Sequence, residues 1–294
     1  MDSSGRLISR GPEVTRFAPS PTGLLHLGHA LAALVAWEEA VRTGGRFLLR
    51  IEDIDRTRCR AEFEEALMDD LRWLGLSWPE PPRRQSEHVD EYAGALVRLR
   101  EMGVVYPCFC TRAEIEREIA AMTSAPHGPE GPLYPGTCRG LSPKERASKI
   151  ASSASHAWRL DALRAASLAG PLEWIDRRHG RFVADPSVLG DVVLARKDIG
   201  TSYHLAVVVD DAVQGVTLVT RGDDLLTSTH LHRLLQHLLG LGVPEWSHHP
   251  LVRDASGRRL AKRDTSATLR DLRRQGLAAT DVRSRLAWAL DVPS

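Results

Sequence analysis

The stretch Arg16-Phe17-Ala18-Pro19-Ser20-Pro21-Thr22-Gly23-Leu24-Leu25-His26-Leu27-Gly28-His29 limits the folds open to this chain more than any other. Val14 to Ala18 reads as a short buried strand. Two prolines and a glycine break it, and a long apolar helix begins near Gly28. A strand that ends in a tight polar turn and opens a helix leaves unpaired backbone N–H groups and the positive end of the helix dipole facing that turn. Together they cradle an anion. His26 and His29 share one face of the first helical turn, placed to donate to phosphate oxygens. Gly28 between them lets a flat group such as an adenine ring approach the backbone. Packing alone does not account for this crowding of Pro, Ser, Thr, Gly and paired His.

The next segments extend the pattern. Residues 30–43 are apolar almost throughout and stop at Gly44-Gly45, and Arg46 to Ile51 reads as a buried strand ending in Glu52, Asp53 and Asp55. Strand, helix, strand is a βαβ unit with a parallel sheet and right-handed crossover, so the class is α/β. Ligands of such sheets bind at the carboxyl ends of the strands, where both the histidine turn and Glu52 fall. Two amphipathic helices come after, one carrying Phe63, Ala66, Leu67, Leu71 and Leu74, the other Tyr92, Leu96, Leu99 and Met102.

Character changes near Val104. A short strand (Val104 to Tyr106), a charged helix (Ala113 to Met122) and strand-like runs at Ala157–Leu160, Leu172–Asp176 and Arg181–Val183 suggest a subdomain over residues 105–190. It is expected to be inserted between the halves of the main domain, 1–104 and 191–294. Parallel-sheet character is expected to return at Val192–Arg196, His204–Val209 and Val216–Thr220. A helix carrying Leu231, Leu234, Leu235 and Leu238, a last strand at His248–Val252 and two short helices (about 267–275 and 280–290) complete the chain.

Residues 123–144 hold too few apolar side chains to fold by burial, and cysteines lie before and within them. Cys108, Cys110 and Cys138 offer three thiolates of a tetrahedral zinc site. Two local residues compete for the fourth position, His127 and Tyr134, imidazole being the commoner ligand. Cys59, between Arg58 and Arg60, reads as a free thiol. The formal net charge of +1 excludes a global polycationic field, so a nucleic acid would have to be met by local basic patches. No run of eighteen apolar residues appears and Met1 to Arg10 lacks an apolar core, so a soluble cytoplasmic protein without a membrane partner is expected.

The basic run Arg258 to Arg263 is placed on a loop beside an expected strand end, as a mobile clamp for the charge that develops when a nucleoside triphosphate loses pyrophosphate. Pro-Ser-Pro-Thr-Gly followed by His26-Leu27-Gly28-His29 resembles the HIGH signature of class I aminoacyl-tRNA synthetases. Arg259-Leu260-Ala261-Lys262-Arg263 is similar to a degenerate form of their KMSKS loop. With Arg50-Ile51-Glu52-Asp53 and Arg221-Gly222-Asp223-Asp224, the pattern resembles glutamyl-tRNA synthetases over about residues 14 to 275. The resemblance implies a Rossmann-type catalytic core split by an acceptor-binding insertion, with short C-terminal helices. It also implies ATP and Mg²⁺ as partners of catalysis. His26, His29 and Lys262 would be catalytic, and His26, Gly28, His29, Arg259, Leu260 and Lys262 would meet ATP. Arg stands for the first lysine of the loop (Arg259) and Ala for its serine (Ala261), which keeps one charge and loses one hydroxyl.

L-glutamate is chemically consistent with this set. Its two carboxylates need two cations, which Arg16 and Arg221 supply, and its ammonium needs an acceptor, which Glu52 supplies. Tyr203, Ala18 and Ser20 would add hydroxyl or backbone contacts by the same resemblance, with Phe17 and Pro19 in the same segment. Tyr134-Pro135-Gly136-Thr137-Cys138 matches the Tyr-x-x-x-Cys of the glutamyl-Q tRNA(Asp) synthetase family, which implies Tyr134 as the fourth zinc ligand. Only about thirty residues follow Arg263, where a glutamyl-tRNA synthetase continues into an anticodon-binding part. The expectation is therefore tRNA-independent activation of glutamate and its transfer to queuosine at the wobble position of tRNA(Asp), with the anticodon stem-loop as partner of a monomeric enzyme. Arg112, Arg117, Arg139 and Lys144 are candidates for phosphate contacts. A minimal enzyme charging tRNA(Glu) and a non-catalytic glutamate- or adenylate-binding paralogue are the alternatives.

Overall fold

Strand β1 (Val14–Phe17), helix α1 (Leu27–Arg42) and strand β2 (Arg46–Ile51) form the parallel βαβ unit in a computed structural model, which describes residues 11–121, 127–128, 131–152, 154–252 and 267–290. Arg16 is in register with Leu48 and Phe17 with Leu49. Helix α2 (Ala61–Trp73) leads to β3 (Arg83–Arg84), parallel to β2. Helix α3 (Val89–Glu101) then passes into β4 (Val105–Cys108), α4 (Arg112–Ala121), the short antiparallel pair β5 (His127–Gly128) and β6 (Gly131–Pro132), and α5 (Pro143–Ala151). Strand β7 (Ala157–Leu160) pairs antiparallel with β4 and precedes α6 (Ala162–Ala169). The remainder is β8 (Glu173–Asp176), β9 (Gly180–Val183), β10 (Val193–Ala195), α7 (Tyr203–Val213), β11 (Leu218–Gly222), α8 (Ser228–Leu238), β12 (Glu245–His249), α9 (Leu269–Arg274) and α10 (Ala279–Leu290).

β11, β12 and β8 run parallel, with β9 antiparallel on the outer edge of β8. This second sheet meets the first where β11 lies along β1. The Thr217 backbone N–H donates to the Val14 carbonyl at 2.9 Å, and the Val14 N–H donates to Thr217 Oγ1 at 2.9 Å. The carboxyl ends of β1, β2, β11 and β12 therefore open on one side, as parallel order requires.

Three expectations need correcting. Residues 204–209 are helix α7, not a strand. Their continuous apolar run (Leu205 to Val209) is buried on every side, and a buried helix and a buried strand share that signature. The strand at Val193–Ala195 pairs antiparallel with β7 rather than joining the parallel sheet. The last strand occupies Glu245–His249 instead of 248–252, because Pro250 has no N–H to donate to a ladder.

Side chains alternate across β1 and β2, and the two faces differ in chemistry. Phe17, Phe47, Leu49 and Ile51 join a core with Leu31 and Leu34 of α1, Leu71 of α2, Leu269 of α9 and Leu286 of α10. Each such fully buried side chain contributes about 2 kcal/mol. On the other face, Arg16 and Arg50 meet Asp210 and Asp211 of α7. Among the described residues, no helix is long and apolar enough to cross a membrane.

Candidate active site

Histidine does at the start of α1 what Ser/Thr and Glu do in an ordinary capping box. The Gly28 N–H donates to His26 Nδ1 at 3.1 Å, and the His26 N–H donates to His29 Nδ1 at 3.2 Å. A neutral imidazole that accepts on Nδ1 carries its proton on Nε2, so both rings hold a donor at the outer nitrogen. The rings lie 3.9 Å apart between centroids, tilted by 37°. Glycine at position 28 has a second use here, since a Cβ would press on the His26 ring at 3.0 Å.

Both histidines line a cavity of about 500 Å³. Arg16, Phe17, Ala18, Pro19 and Ser20 form its wall from β1, and Arg221, Gly222, Asp224, His249, Leu251 and Val252 form the opposite wall from the carboxyl ends of β11 and β12 and the residues just beyond them. Ser20 also borders a smaller recess of about 250 Å³ that contains Glu52 and Tyr203. The structure thus gathers Arg16, Ala18, Ser20, His26, Gly28, His29 and Arg221 on one cavity, with Glu52 and Tyr203 beside it. Arg259, Leu260, Lys262 and the rest of the basic run lie outside the described residues. The described chain leaves at Val252 on the cavity wall and resumes at Ala267; next to it, Thr268 bridges His26 and the Leu269 N–H donates to the Leu25 carbonyl at 2.8 Å.

A buried ion network fixes Arg16. Its Nε donates to Asp211 Oδ1 at 3.0 Å and its Nη1 to the Thr220 carbonyl at 3.1 Å. Arg50, fully buried, donates from Nη2 to the same Asp211 oxygen at 2.6 Å. Asp210 accepts from Arg83 Nε at 2.8 Å, Gln85 Nε2 at 2.7 Å and the Tyr92 hydroxyl at 2.9 Å. Glu52 stands at the edge of this network, 3.8 Å from Arg50 Nε. Burial raises its pKa to about 7, against the opposing pull of Arg50 and Arg16.

Arg221 is held differently, by neutral groups. It donates from Nε to His248 Nε2 at 3.0 Å, from Nη1 to the Tyr203 hydroxyl at 3.3 Å and to His232 Nδ1 at 3.1 Å, and from Nη2 to Thr229 Oγ1 at 2.6 Å. Burial lowers its pKa from the usual arginine range. His249, also on the cavity, donates from Nδ1 to the Pro250 carbonyl at 3.0 Å and keeps a buried Nε2 acceptor without a partner among the described residues. Asp210, Asp211, His232, His248, His249 and Thr229 were not singled out in the sequence. The adjacent acids Asp210-Asp211 after an apolar run were the available signal, but reading 204–209 as a strand placed them beyond a strand end.

Cys108, Cys110 and Cys138 come together, their sulfurs all within 4.8 Å of one another. The Tyr134 hydroxyl lies 3.5 Å from Cys108 Sγ and 3.4 Å from Cys110 Sγ, and it accepts the Cys138 backbone N–H at 2.9 Å. Thiolates around a tetrahedral zinc sit roughly 3.8 Å apart for zinc–sulfur bonds of about 2.3 Å, a spacing this cluster can adopt with little movement. The cluster can hold a metal. The side chain of His127 is outside what the structure describes.

A doubly covered parallel sheet, a histidine-capped helix at the carboxyl end of its first strand and buried arginines on the neighbouring strands define an aminoacyl-tRNA synthetase core of class I. Residues 13–286 match the family described as tRNA synthetases class I (E and Q), catalytic domain, and the chain belongs to it. It is 50% identical over 275 residues to the glutamyl-Q tRNA(Asp) synthetase of Rhodobacter capsulatus, covering 92% of this chain and 98% of that one. It is 48% identical to the protein of the same name from Nocardia farcinica (95% and 85% covered), and 40% identical to glutamate–tRNA ligase 2 of Acidithiobacillus ferrooxidans (93% and 57%). Among solved structures, a glutamate tRNA ligase from Elizabethkingia meningosepticum is similar with a TM-score of 0.71 at 30% identity. That match covers 90% of this chain, which spans about half (53%) of the ligase. Methionyl-tRNA synthetase of Mycobacterium tuberculosis, at 13% identity and a TM-score of 0.57, shares the fold.

Proposed function

We propose that the protein activates L-glutamate with ATP, without tRNA, and transfers the glutamyl group to queuosine at the wobble position of tRNA(Asp). The observation that carries the first step is the pairing, on one cavity, of two Nε2–H donors at a helix N-terminus with two buried arginines at strand ends. A glutamate α-carboxylate oxygen attacks the ATP α-phosphorus, the bond to the bridging oxygen breaks, and pyrophosphate leaves. His26 and His29 meet the charge that develops on the phosphates, together with the positive end of α1. Lys262, Arg259 and Leu260 act on the triphosphate; the described residue before their segment, Val252, lines the cavity, and Thr268 after it bridges His26. Arg16 and Arg221 take the substrate carboxylates, Glu52 the ammonium, and Tyr203 and the Phe17–Ser20 segment complete the glutamate contacts.

A queuosine hydroxyl then attacks the adenylate carbonyl and AMP leaves. The relatives that carry the glutamyl-Q name over most of their length support this acceptor. Among the described residues, the only group of three or more His, Cys, Asp or Glu able to hold a metal is the cysteine cluster. Mg²⁺ is assigned to the nucleotide phosphates, whose charge it neutralises. The protein works as a cytoplasmic monomer, meeting the anticodon stem-loop through basic side chains of the insertion. The test of activation is ATP–pyrophosphate exchange without tRNA. Exchange is expected with glutamate, and its absence would leave a glutamate- or adenylate-binding protein without catalysis.

Zinc on Cys108, Cys110, Cys138 and Tyr134 would pin the loop between Cys110 and Cys138. Metal analysis of the purified protein is expected to return one zinc per chain, falling to near zero in Cys138→Ser, with faster proteolysis in this loop. A metal-free wild type with the same proteolytic resistance would remove zinc from the account.

Glu52 makes glutamate binding pH-dependent, because the ammonium needs its ionised form. Below pH about 7 the protonated carboxyl has no charge to offer, so KM for glutamate rises about tenfold per unit as pH falls, and it levels off above that pH. Glu52→Gln is expected to flatten the profile at the high-KM end. A wild-type KM constant between pH 6 and 8 would remove Glu52 as the ammonium partner.

A further inference from the structure

Arg16, Arg50 and Arg83 each have a carboxylate in ion-pair contact. Arg221 has none among the described residues, although it is buried and sits on the same cavity; all four of its acceptors are neutral groups. A buried guanidinium without a counter-ion is costly unless a ligand supplies the anion. Proton positions explain how the neutral groups keep it in place.

Asp176, buried at the end of β8, takes four N–H groups with its two oxygens. Oδ1 accepts from the backbone N–H of Arg178 and of His179 at 2.9 Å each. Oδ2 accepts from the His248 backbone N–H at 3.1 Å and from His248 Nδ1 at 2.6 Å. The carboxylate holds the His248 proton on Nδ1, which leaves Nε2 as the acceptor that Arg221 Nε requires. On the other side of the guanidinium, His232 Nδ1 accepts from Arg221 Nη1, so the His232 proton lies on Nε2 and is donated to His204 Nδ1 at 3.2 Å. Burial keeps these rings neutral: it lowers His248 and His204 to about 4 and His232 well below the usual histidine value.

We propose that Asp176, acting through His248, and the His204–His232 pair are positioning residues that hold Arg221 as a cation with no carboxylate in contact, and that they thereby set the preference for glutamate over its neutral isostere glutamine. The inference rests on the proposal that glutamate is the substrate of this cavity. Arg16 differs in that Asp211 already meets its charge, so it discriminates less between an anion and an amide. Asp176→Asn probes the arrangement by a tautomer change. An amide has one acceptor oxygen for four N–H donors. When its NH₂ faces the ring, His248 must move its proton to Nε2, and a donor then points at the Arg221 N–H.

The experiment is ATP–pyrophosphate exchange with glutamate and with glutamine for the wild type, Asp176→Asn, His248→Leu and His248→Gln. The Gln side chain can offer an amide oxygen near the place of Nε2. Asp176→Asn and His248→Leu are expected to raise KM for glutamate by about tenfold or more and to lower the glutamate-to-glutamine ratio of kcat/KM by a similar factor. KM for ATP should move less than about threefold, and His248→Gln should recover most of the ratio. Equal loss toward ATP and glutamate with an unchanged ratio would mean a merely structural role and overturn the inference, as would His248→Gln behaving like His248→Leu. Should Asp176→Asn not fold, the two His248 variants decide the matter between them. A wild type that exchanges with neither amino acid would overturn the glutamate reading itself and the inference with it. Wild-type exchange with unchanged variants would overturn the inference alone.

Discussion

Arg221→Met is expected to lower kcat/KM for glutamate in the exchange reaction by about 10²–10³-fold, the equivalent of roughly 3–4 kcal/mol for a buried charge pair losing one partner. The size reflects the surroundings. In the free protein no carboxylate among the described residues is in contact with Arg221 and Asp211 acts on it only from a distance, so binding an anion there satisfies a cation that burial has already stripped of water. The same circumstance makes the variant tolerable to the fold. Methionine removes a buried cation and leaves neutral acceptors, two opposing effects, and the thermal midpoint should stay within about 4 °C of the wild type. Arg221→Lys keeps a charge but not the fork that reaches His248, Thr229 and His232 together, and should fall between the two. A Met variant with near wild-type kcat/KM would place the substrate carboxylates elsewhere.

The second large effect is expected from His26→Asn, because that substitution separates the two duties of His26. Asparagine is a favourable N-cap, and its Oδ1 can accept the Gly28 N–H that His26 Nδ1 accepts now, so the start of α1 should persist. The Nε2–H donor is lost. Removing one preorganised donor from a developing phosphate charge costs about 10²–10³ in kcat, with little change in KM for glutamate and none in helix content. His26→Ala should add about 1 kcal/mol of destabilisation from the missing cap. If kcat survives His26→Asn, the histidine is a cap and no more.

The first half of the fold was legible because its signals are local. Two prolines and Gly23 end β1, paired histidines open α1, and glycines close it, so the βαβ unit and the position of Arg16 at its strand end can be read from the sequence. The error at 204–209 had a physical cause. Residues Leu205 to Val209 pack on all sides, and a run of that kind carries neither the period of a strand nor that of an amphipathic helix. Its consequence reached the site. As a helix, α7 brings Asp210 and Asp211 under β1 and β2, where they fix Arg16 and Arg50, and it starts with Tyr203 against Arg221. Motif matching could point to Arg16 and Arg221 but could not reveal that one is paired with a carboxylate and the other is not. That difference depends on residues nearly two hundred positions apart. The cysteines were legible from spacing, whereas the approach of Tyr134 to two sulfurs is a tertiary fact.

We propose that glutamate activated at this cavity is delivered to a modified base in an anticodon. The direct measurement supplies radiolabelled glutamate and ATP with three acceptors: tRNA(Asp) containing queuosine, tRNA(Asp) without it, and tRNA(Glu). Label is expected on queuosine-containing tRNA(Asp) only, and it should remain with the anticodon fragment after nuclease cleavage. Label on the 3′ end of tRNA(Glu), with none on tRNA(Asp), would contradict the account and make the protein a tRNA-charging glutamyl-tRNA synthetase.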